Sequence, residues 1–261
     1  MSPILSGRDV ELLSEEGWET NVWLCREDGF PLSVIKTFDR DDGSQMGYVF
    51  DERLKEELEE TFEAFRRQYG DFMVPQVITP RTDKPGRFIV EQDYIHGQNG
   101  EGHPFGIFMH NREQIRTESR MQLLLLIDII KENFRRYKEE HVTDPRENIP
   151  LDLHGKRNLV IARNGDIKYV DAGLRTRQFY EIFQETPEME EYYLSKVLLL
   201  EILAGRMYED LEDDPFYAHI LKVVFDYNAE AGFVFDKTHN DFESYVRRYI
   251  KRWEEPRPLE A

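Results

Sequence analysis

Cysteine is all but missing from this chain of 261 residues. Cys25 stands alone, so no intramolecular disulfide can form and nothing calls for an oxidising compartment. Long apolar runs are missing too. The longest, residues 123–130, is interrupted by Asp128 and is too short to span a bilayer; it reads as the core of a buried helix over about 117–141. The chain does not open on a basic segment followed by an apolar stretch, so the sequence predicts no signal peptide, no membrane span and a cytoplasmic protein. Cations are scarce. Lys and Arg number 34 against 52 Asp and Glu, a net charge of −18, which argues against non-specific binding to nucleic acid. The 7 histidines show no ligand spacing, so no zinc site is expected. Internal repeats and low-complexity segments are absent as well.

What is present describes a globular protein. A hydrophobic content of 40% with 13% aromatics excludes bulk disorder, and a chain of this length can bury a substantial core. Cys25, following Trp23 and Leu24, reads as a packed strand residue. The basic run Arg247-Arg248-Tyr249-Ile250-Lys251-Arg252 lies on an expected C-terminal helix. It reads either as a solvated face or as a docking patch for an acidic protein partner.

The most informative stretch is Leu151-Asp152-Leu153-His154-Gly155-Lys156-Arg157-Asn158, followed by Leu159-Val160-Ile161-Ala162 and Ile167-Lys168-Tyr169-Val170-Asp171-Ala172-Gly173. Between the two apolar runs lies Arg163-Asn164-Gly165-Asp166, whose Asn-Gly pair predicts a β-hairpin. A hairpin returns its second strand beside its first. Asn158 and Asp171 therefore belong at the same end, with Asp152 on the loop leading in. Two carboxylates and an amide oxygen converging there make a hard-oxygen site of the kind that holds Mg²⁺ on a phosphate substrate. The other reading is an ordinary surface hairpin with polar ends.

Upstream, Val34-Ile35-Lys36 sits in an extended run over 32–38 and places one ammonium at the inner end of a buried strand. Gly17-Trp18-Glu19-Thr20-Asn21-Val22-Trp23 reads as a turn feeding a strand on which Val22 and Leu24 alternate. Residues 51–69 form an amphipathic helix with Leu54, Leu58, Phe62 and Phe65 on one face. Residues 87–97 read as a buried strand that runs out into a polar connector. Residues 194–206 read as a long buried helix.

This order of motifs over residues 13–206 resembles the protein-kinase-like superfamily. Val34-Ile35-Lys36 is similar to its strand lysine motif, Asp152 and Asn158 to its catalytic loop, and Asp171-Ala172-Gly173 to its metal-binding motif. The resemblance is to an atypical or small-molecule branch. Pro150-Leu151 replaces the usual His-Arg before the aspartate, His154 resembles the loops of aminoglycoside and choline phosphotransferases, and the glycine loop keeps only Gly17, as in RIO-type proteins. Six positions separate Asp152 from Asn158, one more than the family spacing, and a local bulge at Gly155-Lys156 is expected to absorb the extra residue.

The resemblance implies ATP and Mg²⁺ as cofactors. It implies Lys36 on the nucleotide phosphates, a glutamate of the following helix as the lysine's partner (Glu57 or Glu59, both at a margin of the apolar face, with Glu57 chosen), and nucleotide contacts at Gly17, Val22 and Glu91. Asp171 and Asn158 would be the metal ligands and Asp152 the group that accepts or orients the acceptor hydroxyl. The expected activity is transfer of the ATP γ-phosphate to a hydroxyl of a small molecule or protein. The alternative is a pseudokinase-type scaffold that binds a partner, with or without nucleotide. The expected fold is α+β and two-lobed, with a strand-rich N-lobe over 1–93, a connector over 94–106 and a helical C-lobe over 107–261.

Overall fold

The computed structural model describes residues 9–14, 21–37, 52–80, 88–97, 106–173 and 178–255. Strands β1 (Asp9–Ser14), β2 (Asn21–Glu27), β3 (Phe30–Thr37), β4 (Gln76–Pro80) and β5 (Phe88–Asp93) form one antiparallel sheet in the order β1-β2-β3-β5-β4. The β2–β3 hairpin turns on Asp28 and Gly29, both at positive φ (50° and 82°), as a two-residue turn matched to strand twist requires. Register sets the two faces of the sheet. Val22 lies opposite Lys36 and Leu24 opposite Val34; on that face Leu24, Val34 and Tyr94 form one buried cluster. Cys25, Ile35 and Ile89 form the cluster of the other face.

Helix α1 (Glu52–Tyr69) enters between β3 and β4. Its Leu54, Leu58, Phe62 and Phe65 are all buried, the spacing that puts them on one side. That stripe does not merely back the sheet. It joins Phe88 and Val90 of β5 to the core of the helical part. There α2 (Thr117–Glu140) and α7 (His239–Glu254) pack on α4 (Pro187–Ala204), whose second half is buried on every side. A helix apolar all round must lie inside its domain. Gly205, at φ 105°, ends it. Helix α4 begins at Pro187, which supplies a pre-set first turn. Helices α3 (Phe179–Glu185), α5 (Tyr208–Leu211) and α6 (Ala218–Glu230) complete the helical part. The chain is thus α+β, with a strand-rich first portion and a mainly helical second one. Among the described residues no helix is long and apolar enough to cross a membrane.

The hairpin of β6 (Leu159–Ile161) and β7 (Ile167–Tyr169) forms where expected. Gly165 takes the left-handed conformation at φ 92°, and Ala162 exchanges backbone bonds with the turn, its N–H donating to Asp166 O at 2.8 Å and its O accepting from Gly165 N at 2.9 Å. The connector is stitched to this hairpin. Arg163 N donates to His96 O at 2.7 Å, Gly97 bridges Ala162 and Gly106 bridges Val160. The first strand of the hairpin therefore lies directly against the chain that leaves the sheet.

Candidate functional site

Lys36 is the buried charge of the sheet. Its place on the Val22/Val34 face aims the ammonium at the end of β7, where Nζ donates to Asp171 Oδ1 at 2.7 Å and to Val170 O at 3.0 Å. A buried ammonium needs such partners, since an unpaired one would forfeit its hydration with no return. The pair is lopsided: the lysine side chain is 8% exposed and that of Asp171 is 47% exposed. Asp171 is thus the half-exposed partner, and among the described residues no donor takes its second oxygen.

The expected pairing of Lys36 with Glu57 is not the one formed. Glu57 Oε1 accepts from Arg53 Nε at 3.1 Å, within the same helix, while Lys36 is satisfied by the hairpin end. Glu91 is also displaced from its expected part. It lies opposite Ile35 in the ladder, so its side chain leaves the sheet on the face opposite to Lys36, where Oε1 accepts from Ser33 Oγ at 2.6 Å. Val22 sits directly across from Lys36. Gly17 lies outside the described residues.

Asp152 is positioned by alternation. Ile149, Leu151 and Leu153 are fully buried anchors, which leaves Asp152 partly exposed between them. Its Oδ1 accepts from His154 N at 2.8 Å, a local turn of the kind aspartate favours. The His154 ring packs near Phe179 and Tyr192, with centroids at 5.2 and 4.9 Å; its Nδ1 is 3.4 Å from Asp152 Oδ1. Asn158 turns inward, its Nδ2 donating to Asp152 O at 3.2 Å. That bond fixes the amide, and its Oδ1 lies against Gly155, 2.2 Å from where a β-carbon there would stand. Asn158 O in turn accepts from Val170 N at 2.8 Å, so Asn158 and Asp171 share one end of the hairpin and Asp152 stands beside them.

Residues 155–158 close a tight turn, where a local bulge was expected. Asn158 N donates to Gly155 O at 3.3 Å, with Lys156 and Arg157 at the turn positions. A β-carbon on Gly155 would come within 2.2 Å of Asn158 Oδ1. One on Gly106 would strike Lys156 O at 1.6 Å. At Gly106 neighbouring backbone passes too close for any side chain, whereas at Gly155 the obstacle is the side chain of Asn158.

Sequence reasoning missed two devices that hold these groups. Tyr169 is fully buried. Its hydroxyl accepts from Asp152 N at 3.1 Å and donates to Asp171 O at 2.8 Å. Burial, and then the charges of Asp152 and Asp171, push its hydroxyl pKa well above the ordinary range. Behind it, Gln68 and Tyr69 at the end of α1 grip Ile149: Gln68 Oε1 accepts from Ile149 N at 2.8 Å, and Tyr69 OH donates to Ile149 O at 2.7 Å. An aromatic in a strand reads as core in any sequence, so Tyr169 did not announce itself, and the grip of Gln68 and Tyr69 joins a helix end to a segment some 80 residues on.

Asp171 carboxylate and Asn158 amide oxygens are hard donors of the kind that suit a hard divalent cation, and among the described residues no group of three or more His, Cys, Asp or Glu gathers to enclose a metal. No protein-family model and no curated protein sequence matches the chain.

Proposed function

We propose that this protein is an atypical kinase-like phosphotransferase that moves the γ-phosphate of ATP to a hydroxyl of a small molecule or protein. The observation that carries the reading is the contact of Lys36 with Asp171, two residues far apart in the chain, beside Asn158 and Asp152. The sheet order with one helix between β3 and β4, followed by helices around a loop and hairpin, supports the protein-kinase-like fold that goes with it.

In this reading the sheet face of Val22 and Val34 receives the base of the nucleotide. Lys36 gives its ammonium to the phosphates as a point charge. Asp171 and Asn158 hold Mg²⁺, which when bound neutralises charge on the phosphates. Asp152 accepts the acceptor's hydroxyl proton or orients that hydroxyl for in-line attack. Its carboxylate is within reach of solvent, while its backbone is tied down on both sides.

The test is to incubate the purified protein with γ-labelled ATP, Mg²⁺ and candidate hydroxyl acceptors. Label should move to an acceptor and depend on Asp152. Transfer of label from α-labelled ATP in its place would make the reaction AMP transfer.

One observation favours a second reading, a nucleotide-binding scaffold without chemistry. Lys36 is occupied by the proposed metal ligand Asp171 and has no carboxylate from α1. If Mg-ATP binds and no acceptor is ever labelled, the scaffold is the better account.

A further inference from the structure

The two carboxylates of the site belong to different segments, and something must set their spacing. Backbone pairing alone does not, because the β6–β7 ladder ends at Leu159 and Tyr169 and the bond beyond it, from Val170 N to Asn158 O, still stops short of both aspartates. Tyr169 spans the gap. Its single hydroxyl is used twice, as acceptor toward the Asp152 N–H and as donor toward the Asp171 carbonyl. Its ring stacks on Phe65 of α1 with centroids 5.5 Å apart and an interplanar angle of 27°. Its backbone is fixed as well, since Tyr169 O accepts from Val74 N at 3.2 Å.

We propose that Tyr169 is a positioning residue of the phosphotransfer site, whose hydroxyl holds the backbones of Asp152 and Asp171 at a set separation and whose ring refers both to α1. This rests on the phosphotransferase reading. In this chain Pro150-Leu151 stands where a supporting His-Arg was expected, and Leu151 is spent on the core. The hydroxyl of Tyr169 supplies polar support from the other side. Phenylalanine at this position would leave the Asp152 N–H and the Asp171 carbonyl without a bond while keeping the ring. The aspartates would then be free to drift by fractions of an ångström.

The experiment compares the full chain with Tyr169→Phe, Asp152→Ala and the double variant, reading turnover, KM for ATP and hydrogen exchange at the Asp152 amide. Tyr169→Phe should lower kcat about tenfold to a hundredfold, as small misplacements of reacting groups do, with KM for ATP changed less than about threefold. In the Asp152→Ala background the same change should cost almost nothing, because it acts through Asp152. A purely structural role would cost the same in both backgrounds. Phe65→Leu keeps the hydroxyl but loosens its seat, and should give a smaller loss with the same dependence on Asp152; it serves if Tyr169→Phe does not fold.

A wild-type kcat retained by Tyr169→Phe, or equal losses in both backgrounds, overturns the proposal and leaves the phosphotransferase reading standing. A wild type that neither binds Mg-ATP nor transfers label overturns both. Amide exchange at Asp152 that is no faster in Tyr169→Phe shows that the hydroxyl does not hold the loop, whatever the activity.

Discussion

Lys36 and Asp171 stand 135 positions apart in the chain and 2.7 Å apart in space. The ammonium belongs to the sheet and the carboxylate to the hairpin, so this ion pair closes the site from both sides. A metal ion that takes Asp171 must compete with the lysine for it, or use the oxygen the lysine leaves open.

The proposed nucleotide binding can be tested on that geometry. Mg-ATP at a hundred times its Kd should stabilise the folded chain by about 2.7 kcal/mol, a rise in Tm of several degrees. Asp171→Asn keeps the shape but weakens the metal ligand, so the rise should lose most of its dependence on Mg²⁺. Differential scanning fluorimetry with ATP, with and without Mg²⁺, reads both. No rise at millimolar Mg-ATP would remove the enzyme and the nucleotide-binding scaffold together.

Asp152→Ala should separate binding from chemistry. In the proposed mechanism the residue faces the acceptor, so turnover should fall by about 10²–10⁴-fold while the Kd for Mg-ATP stays near that of wild type. Equal loss of affinity and turnover would mean that Asp152 serves the nucleotide.

Glu57 gives a prediction of no effect. It pairs with Arg53 across one turn of α1, an exposed arrangement worth about 0.3–0.5 kcal/mol. Glu57→Gln should leave the Kd for Mg-ATP within about twofold of wild type, measured by calorimetry. A large loss would show that the nucleotide-bound protein draws Glu57 to Lys36.

Gly155 should be intolerant for a local reason. The side chain of Asn158 fills the space a β-carbon would need, so Gly155→Ala must push that amide off Asp152 O. The Mg²⁺ concentration for half-maximal binding should rise about tenfold, with a modest fall in Tm. An unchanged Mg²⁺ requirement would exclude Asn158 as a metal ligand.

His239 makes acid stability measurable. Burial, and then the charge of Arg112, lower its pKa below the ordinary 6.5. The unfolded chain therefore takes up its proton first as pH falls through 6.5, and stability declines from there down to the folded-state pKa. His110 is lowered too, by burial and then by Arg247, and adds to the same decline. His239→Gln should shrink the drop in urea midpoint between pH 7.5 and pH 5.5 without abolishing it. A drop of undiminished size would show that His239 is protonated in the folded protein.

Much of the architecture could be read from the residues, because local signals and burial agreed. The Asn164-Gly165 pair demanded a hairpin and one formed; Leu54, Leu58, Phe62 and Phe65 drew a helix face and are buried. Partners were harder. On α1, Glu57 and Glu59 both flank the apolar stripe, and Arg53 and Lys55 on the same helix hold them at 3.1 and 3.8 Å. Glu91 alternates onto the outer face because register, set by the whole sheet, decides which way a strand residue points. Tyr169 was invisible as a polar residue because nothing local distinguishes a buried tyrosine from a phenylalanine; its two bonds go to segments that only the finished fold brings near.

The distribution of apolar contacts makes the protein mechanically uneven. Helix α1, Phe88 and Val90 share one large core with the helices, whereas among the described residues Leu24, Val34 and Tyr94 and, on the reverse, Cys25, Ile35 and Ile89 are small separate clusters. Cooperative units with few buried contacts open first. The first three strands can therefore loosen as a unit while α1, Ile149, Asp152 and the hairpin stay assembled. Lys36 would leave with the strands. Thermal fraying would thus disarm the phosphate side of the site before it disturbed the acceptor side, and a bound nucleotide, by bridging the two, would act as the clamp between the weakest unit of the molecule and the strongest.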